Sequence, residues 1–359
     1  MARARRQAAT FEALPRRRRW GCAIFLLFLA LLAALSLVLL VWLVMPRRPL
    51  DPARLIGYNV DGLVLVDLNR ASPRVEELVR ALVRPLAEGG EEKPEEMEKE
   101  ITRLLDVLTF RRAIGLMRYD PEAREEQWAW VVGLKRLGEP IRLLVRRIAS
   151  REAQMVTTET LGGEVIFYYD EPGPYFAADP RAFVLANDRT WLREMLRRVK
   201  GGEPRTARAE RLLAGLPAEE RHAVLRAAVL FSPERWESWG RIVKQPELDL
   251  ETLAEAHAFM TELGIRPPAL NLLSLRATAE PGNRLRLDFR AQCDRTSETV
   301  EGARRMREQW PELAPLFGGP YLTSIANPTS GTIDFVLGWV TSPMEELLGV
   351  EAKDEVTTH

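Results

Sequence analysis

The chain has 359 residues, 46% hydrophobic and 28% charged, with 51 basic side chains against 51 acidic ones. That composition describes a folded protein and excludes a disordered stalk, which would hold fewer apolar residues. A zero balance with 2 cysteines also excludes a broadly basic nucleic-acid binder and a disulfide-stapled scaffold.

Residues 1–19 form an arginine-rich arm. Arg3, Arg5, Arg6, Arg16, Arg17, Arg18 and Arg19 are opposed only by Glu12. Residues 20–45 follow as one uncharged apolar stretch. As a helix it would be about 39 Å long, against a hydrocarbon core of about 30 Å. Trp20 and Trp42 lie near its ends, where indoles favour the headgroup region, so they and Arg16–Arg19 are the expected interface anchors. The charge asymmetry predicts a single pass through the cytoplasmic membrane, with the arm inside and everything after about Pro46 outside. A cleaved signal peptide would have an apolar region of about 7–15 residues and a small-residue exit. This run is longer and leaves through LVWLVMPRRP, which marks an uncleaved signal anchor. Cys22 precedes the apolar region, so it does not fit a lipoprotein; it is either a plain thiol or an interfacial palmitoylation site. Cys293 would lie across the membrane from it, which rules out an intrachain disulfide. The sequence has no Asn-x-Ser/Thr sequon, and packing without disulfides suits a bacterial envelope.

Beyond the stretch, residues 63–68 alternate as a strand, and Ser72-Pro73 opens a helix through about Leu86. An acidic run from residue 91 leads into the amphipathic ITRLLDVL and reads as the solvated start of a second helix. It lacks the alternating carboxylates and turn glycine of a calcium loop. Strands are predicted over 113–119 and 127–134, then a helix over 139–149. A second set follows, with strands over 164–170 and 181–186 and a helix over 188–199. Later come a strand–helix unit over 222–231 and 233–243, a hairpin over 270–279 and 284–292, and a helix over 297–310. Strand-strand-helix occurs three times, as repeated architecture more than repeated residues. The expected fold is α+β: an N-terminal transmembrane helix followed by antiparallel sheets with helices packed on one face. The connection GGEPRTA (201–207) is the expected boundary. It divides an extracytoplasmic α+β part at 46–203 from a second at 204–350, with a flexible tail at 351–359.

The chemistry is sparse. His222, His257 and His359 show no paired metal spacing, and no HExxH, G-x-S-x-G, S-x-x-K, P-loop or G-x-G-x-x-G motif occurs. No catalytic residue, cofactor or metal is expected. His257 reads as a surface or half-buried helix residue and His222 as the edge of a strand, although an acid–base role is conceivable for His222. Two features point weakly to partners. Tyr168, Tyr169, Tyr175 and Phe176 bracket the DEPGP turn and would suit a partner surface if exposed, or alternate into a core if not. The segment FVLGWVTSPMEELLGV (335–350) either packs on the last sheet or lies on the bilayer.

The run GGEVIFYYDEPGPYFAADPRAFVLANDRTWLREMLRRVKGG resembles a unit of uncharacterised bacterial single-span envelope proteins, whose external α+β domain is of unknown function. The resemblance covers roughly residues 55–309, rests on rhythm, and implies no active site. Function is therefore expected to be a non-enzymatic, membrane-tethered binding or envelope-assembly role. The bilayer is one partner through 20–45, a protein or envelope component is another, and nucleic acid is not expected. The alternatives are an accessory or sensor subunit of a membrane complex, and a hydrolase acting on an envelope polymer.

Overall fold

The computed structural model describes residues 49–68, 72–88, 99, 109–134, 157–161, 164–168, 174–179, 181–202, 204, 206–244, 251–313, 321–327 and 331–343. The chain divides into two compact units, Met1–Pro46 and Arg47–His359. The first lies outside the described residues, as do Cys22, the interface anchors, the helix expected over 139–149 and the 351–359 tail.

The second unit is built on one sheet. Its strands are β1 (Gly62–Asp67), β2 (Thr109–Asp120), β3 (Glu125–Leu134), β4 (Thr157–Leu161), β5 (Glu164–Tyr168), β6 (Tyr175–Ala178), β7 (Ala182–Ala186), β8 (Ala223–Val229), β9 (Leu270–Glu280), β10 (Arg284–Asp294), β11 (Tyr321–Asn327) and β12 (Thr332–Val340). They form a 12-stranded sheet in the order β11-β12-β10-β9-β8-β1-β2-β3-β7-β6-β5-β4. The helices are α1 (Pro73–Glu88), α2 (Arg189–Gly201), α3 (Ala207–Gly215), α4 (Pro233–Ile242), α5 (Glu251–Glu262) and α6 (Ser297–Leu313).

Local chemistry explains the element ends. Ser72 caps α1 and is followed by Pro73, Asp188 Oδ1 accepts from Trp191 N at 2.7 Å to open α2, and Ser232 with Pro233 does the same for α4. The β9–β10 hairpin turns through Gly282 (φ 73°) and Asn283 (φ 55°), two residue types that tolerate the left-handed region.

The expected fold needs correcting on two points. There is one continuous sheet, because β1 and β8 pair antiparallel and join the strands on either side of the expected boundary at 201–207. Helices cover both faces. In that pairing Leu65 lies opposite Arg226 and Val66 opposite Leu225, so Leu65 and Leu225 point to opposite sides. Leu65 belongs to the core under α2 and α3, whereas Leu225 packs with Val75 and Leu78 of α1. A third cluster joins Ala303 and Met306 of α6 to Ala291, Ile333 and Phe335 on the side that α1 covers. No helix among the described residues is long and apolar enough to cross a membrane; residues 20–45 lie outside them.

On the face of β9, β10 and β12 turned away from α1 and α6, the side chains are ionic. Arg276 Nη2 lies 2.8 Å from Asp288 Oδ2, its register partner across the hairpin, and Arg290 lies 2.8 Å from Asp334. Glu220 bridges Arg276 and Arg286. Cross-strand charge pairs of this kind give the largely buried Asp288 and Asp334 carboxylates, 11% and 9% exposed, a partner within the sheet. The two halves are also tied by Arg235 of α4. It donates to both carboxylate oxygens of Glu126 on β3, at 2.6 and 2.8 Å, and to the Leu230 carbonyl at 3.1 Å. Burial raises the pKa of Glu126 above its ordinary value, although the Arg235 charge and hydrogen bonds oppose that rise.

Candidate functional site

Of the aromatic positions expected near the 171–174 turn, Tyr175 and Phe176 lie on opposite faces of their strand. Tyr175 is buried in the core with Ala177 and Val184, while Phe176, its neighbour in a strand, faces the other way and packs on Phe183 at 5.9 Å between centroids. Tyr168 occupies the register position opposite Tyr175, and Tyr169 lies outside the described residues. In the C-terminal segment, Phe335 is core and Trp339 stacks on Phe289 at 5.4 Å, whereas Val340 is exposed. Of 335–350, residues 344–350 lie outside the described residues.

The histidines differ. His222 Nδ1 lies 2.6 Å from Ser72 Oγ, a pairing that resembles a nucleophile with its base. Ser72 is only 1% exposed, however, and its Oγ and carbonyl both receive amides from the first turn of α1. A sealed capping hydroxyl cannot meet a substrate, so the pair is structural.

His257 sits at a cleft. Trp236, Trp239 and Gly240 lie on one stretch of α4, and the ring of His257 on α5 packs into it. A Cβ on Gly240 would come within 2.5 Å of His257 Cε1, so the close approach requires glycine there. His257 stacks on Trp236 with centroids 4.5 Å apart and meets Trp239 edge-on at 5.2 Å; Phe231 completes the group. His257 Nε2 lies 3.3 Å from the Trp236 carbonyl. A carbonyl only accepts, so Nε2 carries the proton and Nδ1 is the acceptor nitrogen. Burial lowers the pKa of His257; the Trp236 carbonyl opposes this, and the Lys244 charge adds to it. The imidazole is therefore neutral at neutral pH.

The cleft encloses about 650 Å³, within the range of ordinary ligand sites. Trp236 and His257, 6% and 8% exposed, form its wall, and Pro233, Pro267 and Pro268 edge it. Glu237, Arg266, Asp294 and Glu298 supply its charge. Arg266 is paired with Glu298 at 3.1 Å, and Asp294 accepts from Asn271 at 2.7 Å. Thr296 and Thr299 cap each other reciprocally at the head of α6, at 2.9 and 3.1 Å. Among the described residues no carboxylate orients His257, and no group of three His, Cys, Asp or Glu side chains could hold a metal ion.

Two other features are structural. A cleft of about 470 Å³ at the end of α2 is lined by Arg54, Arg181, Arg198 and Lys200. Its cations complement the helix's terminal carbonyls, with Arg181 donating to Lys200 O at 3.1 Å. Cys293 is 0% exposed, and burial, followed by Asp294 and Asp334, pushes its thiol up to about 12. It is a neutral packing group.

The sequence contains hints of the cleft, namely Trp236 and Trp239 ahead of Gly240 and the Pro267-Pro268 pair, but nothing in it joins them to His257. No family model matches the sequence, and neither does any curated protein. A solved structure, crystal form I of TP0453, is similar to this chain at a TM-score of 0.42 and 12% identity, covering 84% of this chain and 96% of that one. A likeness of that degree carries no argument about function.

Proposed function

We propose that the protein is a membrane-tethered extracytoplasmic binding protein, without catalytic activity, that holds a partner or envelope component at the cleft between α4, α5 and α6. One observation carries this reading. Among the described residues the ring of the cleft's buried titratable group, His257, hydrogen-bonds to a backbone carbonyl and to no hydroxyl, thiol or carboxylate, while Trp236 and the prolines give the cleft an apolar side. The tether rests on the sequence: Arg16–Arg19 precede the uncharged 20–45, and the arm lies on the cytoplasmic side. Tethering would raise the local concentration of the binding unit near envelope partners.

Complementation of a deletion strain with the full chain tests the reading. Reversing charge at the cleft rim, Glu237→Lys, should abolish function at normal abundance and thermal stability. The same change at Glu122, in the exposed β2–β3 turn, should be neutral. Full function in Glu237→Lys, or loss of function from a single buried carboxylate in a folded protein, would overturn it.

A further inference from the structure

The chemistry of the cleft selects among ligands. We propose that it receives the cationic end of a lysine or arginine side chain presented by a partner peptide. The proposal rests on the binding reading above and adds the ligand class. Glu237, Asp294 and Glu298 against Arg266 leave the lining with two net negative charges, three minus one. Arg266 is already engaged by Glu298, so the cation in the lining is compensated from within it. Glu237 has no hydrogen-bond or ion-pair partner among the described residues, which leaves its carboxylate available.

The second, independent observation is His257. It is more than nine-tenths buried and lines the cleft, and its Nε2 is committed to the Trp236 carbonyl. Nδ1 is left as a lone-pair acceptor with no donor among the described residues. An acceptor in the same lining as the unengaged Glu237 carboxylate is complementary to an ammonium or guanidinium N–H, not to an anion. The indole and imidazole wall with the proline edge suits the rest of such a side chain. An aliphatic stem packs on apolar surface, and a guanidinium stacks on an aromatic face. An anionic ligand at the head of α6 would meet the Glu298 carboxylate, and the Thr296–Thr299 cap already takes the Thr299 amide.

The test is calorimetric titration of the full chain in zwitterionic nanodiscs with acetyl-Gly-Gly-X-Gly-Gly-amide peptides, where X is Arg, Lys, Gln or Glu. The Arg and Lys peptides should bind at least about tenfold more tightly than the Gln peptide, and the Glu peptide should bind most weakly, in keeping with one charge-assisted contact. Glu237→Gln, which leaves the fold untouched, should weaken the Arg peptide about fivefold and the Gln peptide hardly at all. If Gln or Glu peptides bind as well as Arg, the cationic class is wrong while the binding cleft stands. If no peptide binds, the proposal fails. If the Glu237→Lys chain also complements fully, the binding reading fails with it.

Discussion

Two tryptophans sit beside basic side chains in this molecule, and the difference between them separates structure from site. Trp191, 0% exposed, has the Arg118 and Arg198 guanidiniums over its ring, 4.3 and 5.2 Å from the centroid. Arg198 in turn donates to the Leu55 carbonyl and to Asn59 Oδ1, both at 2.9 Å, and pairs with Glu194, which also takes Arg118 at 3.2 Å. The protein itself answers the charges of this cluster, although the buried Trp191 Nε1 has no hydrogen-bond partner among the described residues. Trp236 and His257 are nearly as buried, yet their wall opens on a cleft whose acceptors include an unanswered carboxylate. Closed polar clusters hold a fold in register, whereas open ones are available to a partner.

The contrast is sharpened by breaking each side. Arg198→Met should be the costliest change, about 3–5 kcal/mol in denaturant unfolding, because it strips buried acceptors of their donor. Glu126→Ala should cost about 3 kcal/mol by leaving the Arg235 side chain, 5% exposed, as an uncompensated buried charge. Arg235→Met should cost less, since Glu126, at 33% exposed, can hydrate. Gly240→Ala should cost about 1–3 kcal/mol, since its methyl collides with the His257 ring, and should weaken binding at the cleft as well.

A pH prediction follows from His257, whose folded pKa is depressed below the ordinary 6.5. As pH falls below about 6.5 the unfolded chain takes up this proton before the folded one does. Stability therefore drops on acidification, and the drop ends once pH passes the folded value. His257→Phe should flatten that limb of the stability–pH curve relative to the unaltered protein. An unchanged slope would mean that the ring is hydrated. At the small end, Glu237→Gln should change stability by less than about 0.5 kcal/mol while still weakening ligand binding.

Much of the local structure was legible in the sequence. Ser72-Pro73 announces its helix, Asn187-Asp188 the start of another, and Pro281-Gly282-Asn283 its hairpin, because caps and turns are decided by neighbouring residues. The assembly was not. Pairing of β1 with β8 joins residues more than 150 positions apart, such as Leu65 and Arg226, and alternation cannot reveal which strand will lie alongside. Nor does alternation say on which side of the sheet the next helix will fall, so coverage of both faces was missed. The short strands TTETL (β4) and YFAA (β6) carry too little pattern to stand out. The cleft was hidden for a similar reason. The burial of His257 depends on Gly240, on another helix, giving it room. A fully buried arginine such as Arg198 likewise breaks the usual rule that charge lies outside, and only its tertiary partners explain it.

The central claim, that the Trp236–His257 cleft is where a partner is held, is tested most directly by photo-crosslinking in living cells. p-Benzoylphenylalanine would replace Glu237 or Glu298 at the cleft rim, and Tyr58, 75% exposed, elsewhere on the surface. We predict discrete adducts from positions 237 and 298, suppressed by excess arginine-containing peptide, and none from position 58. Equal adducts at position 58, or none at the cleft in a functional protein, would contradict the account.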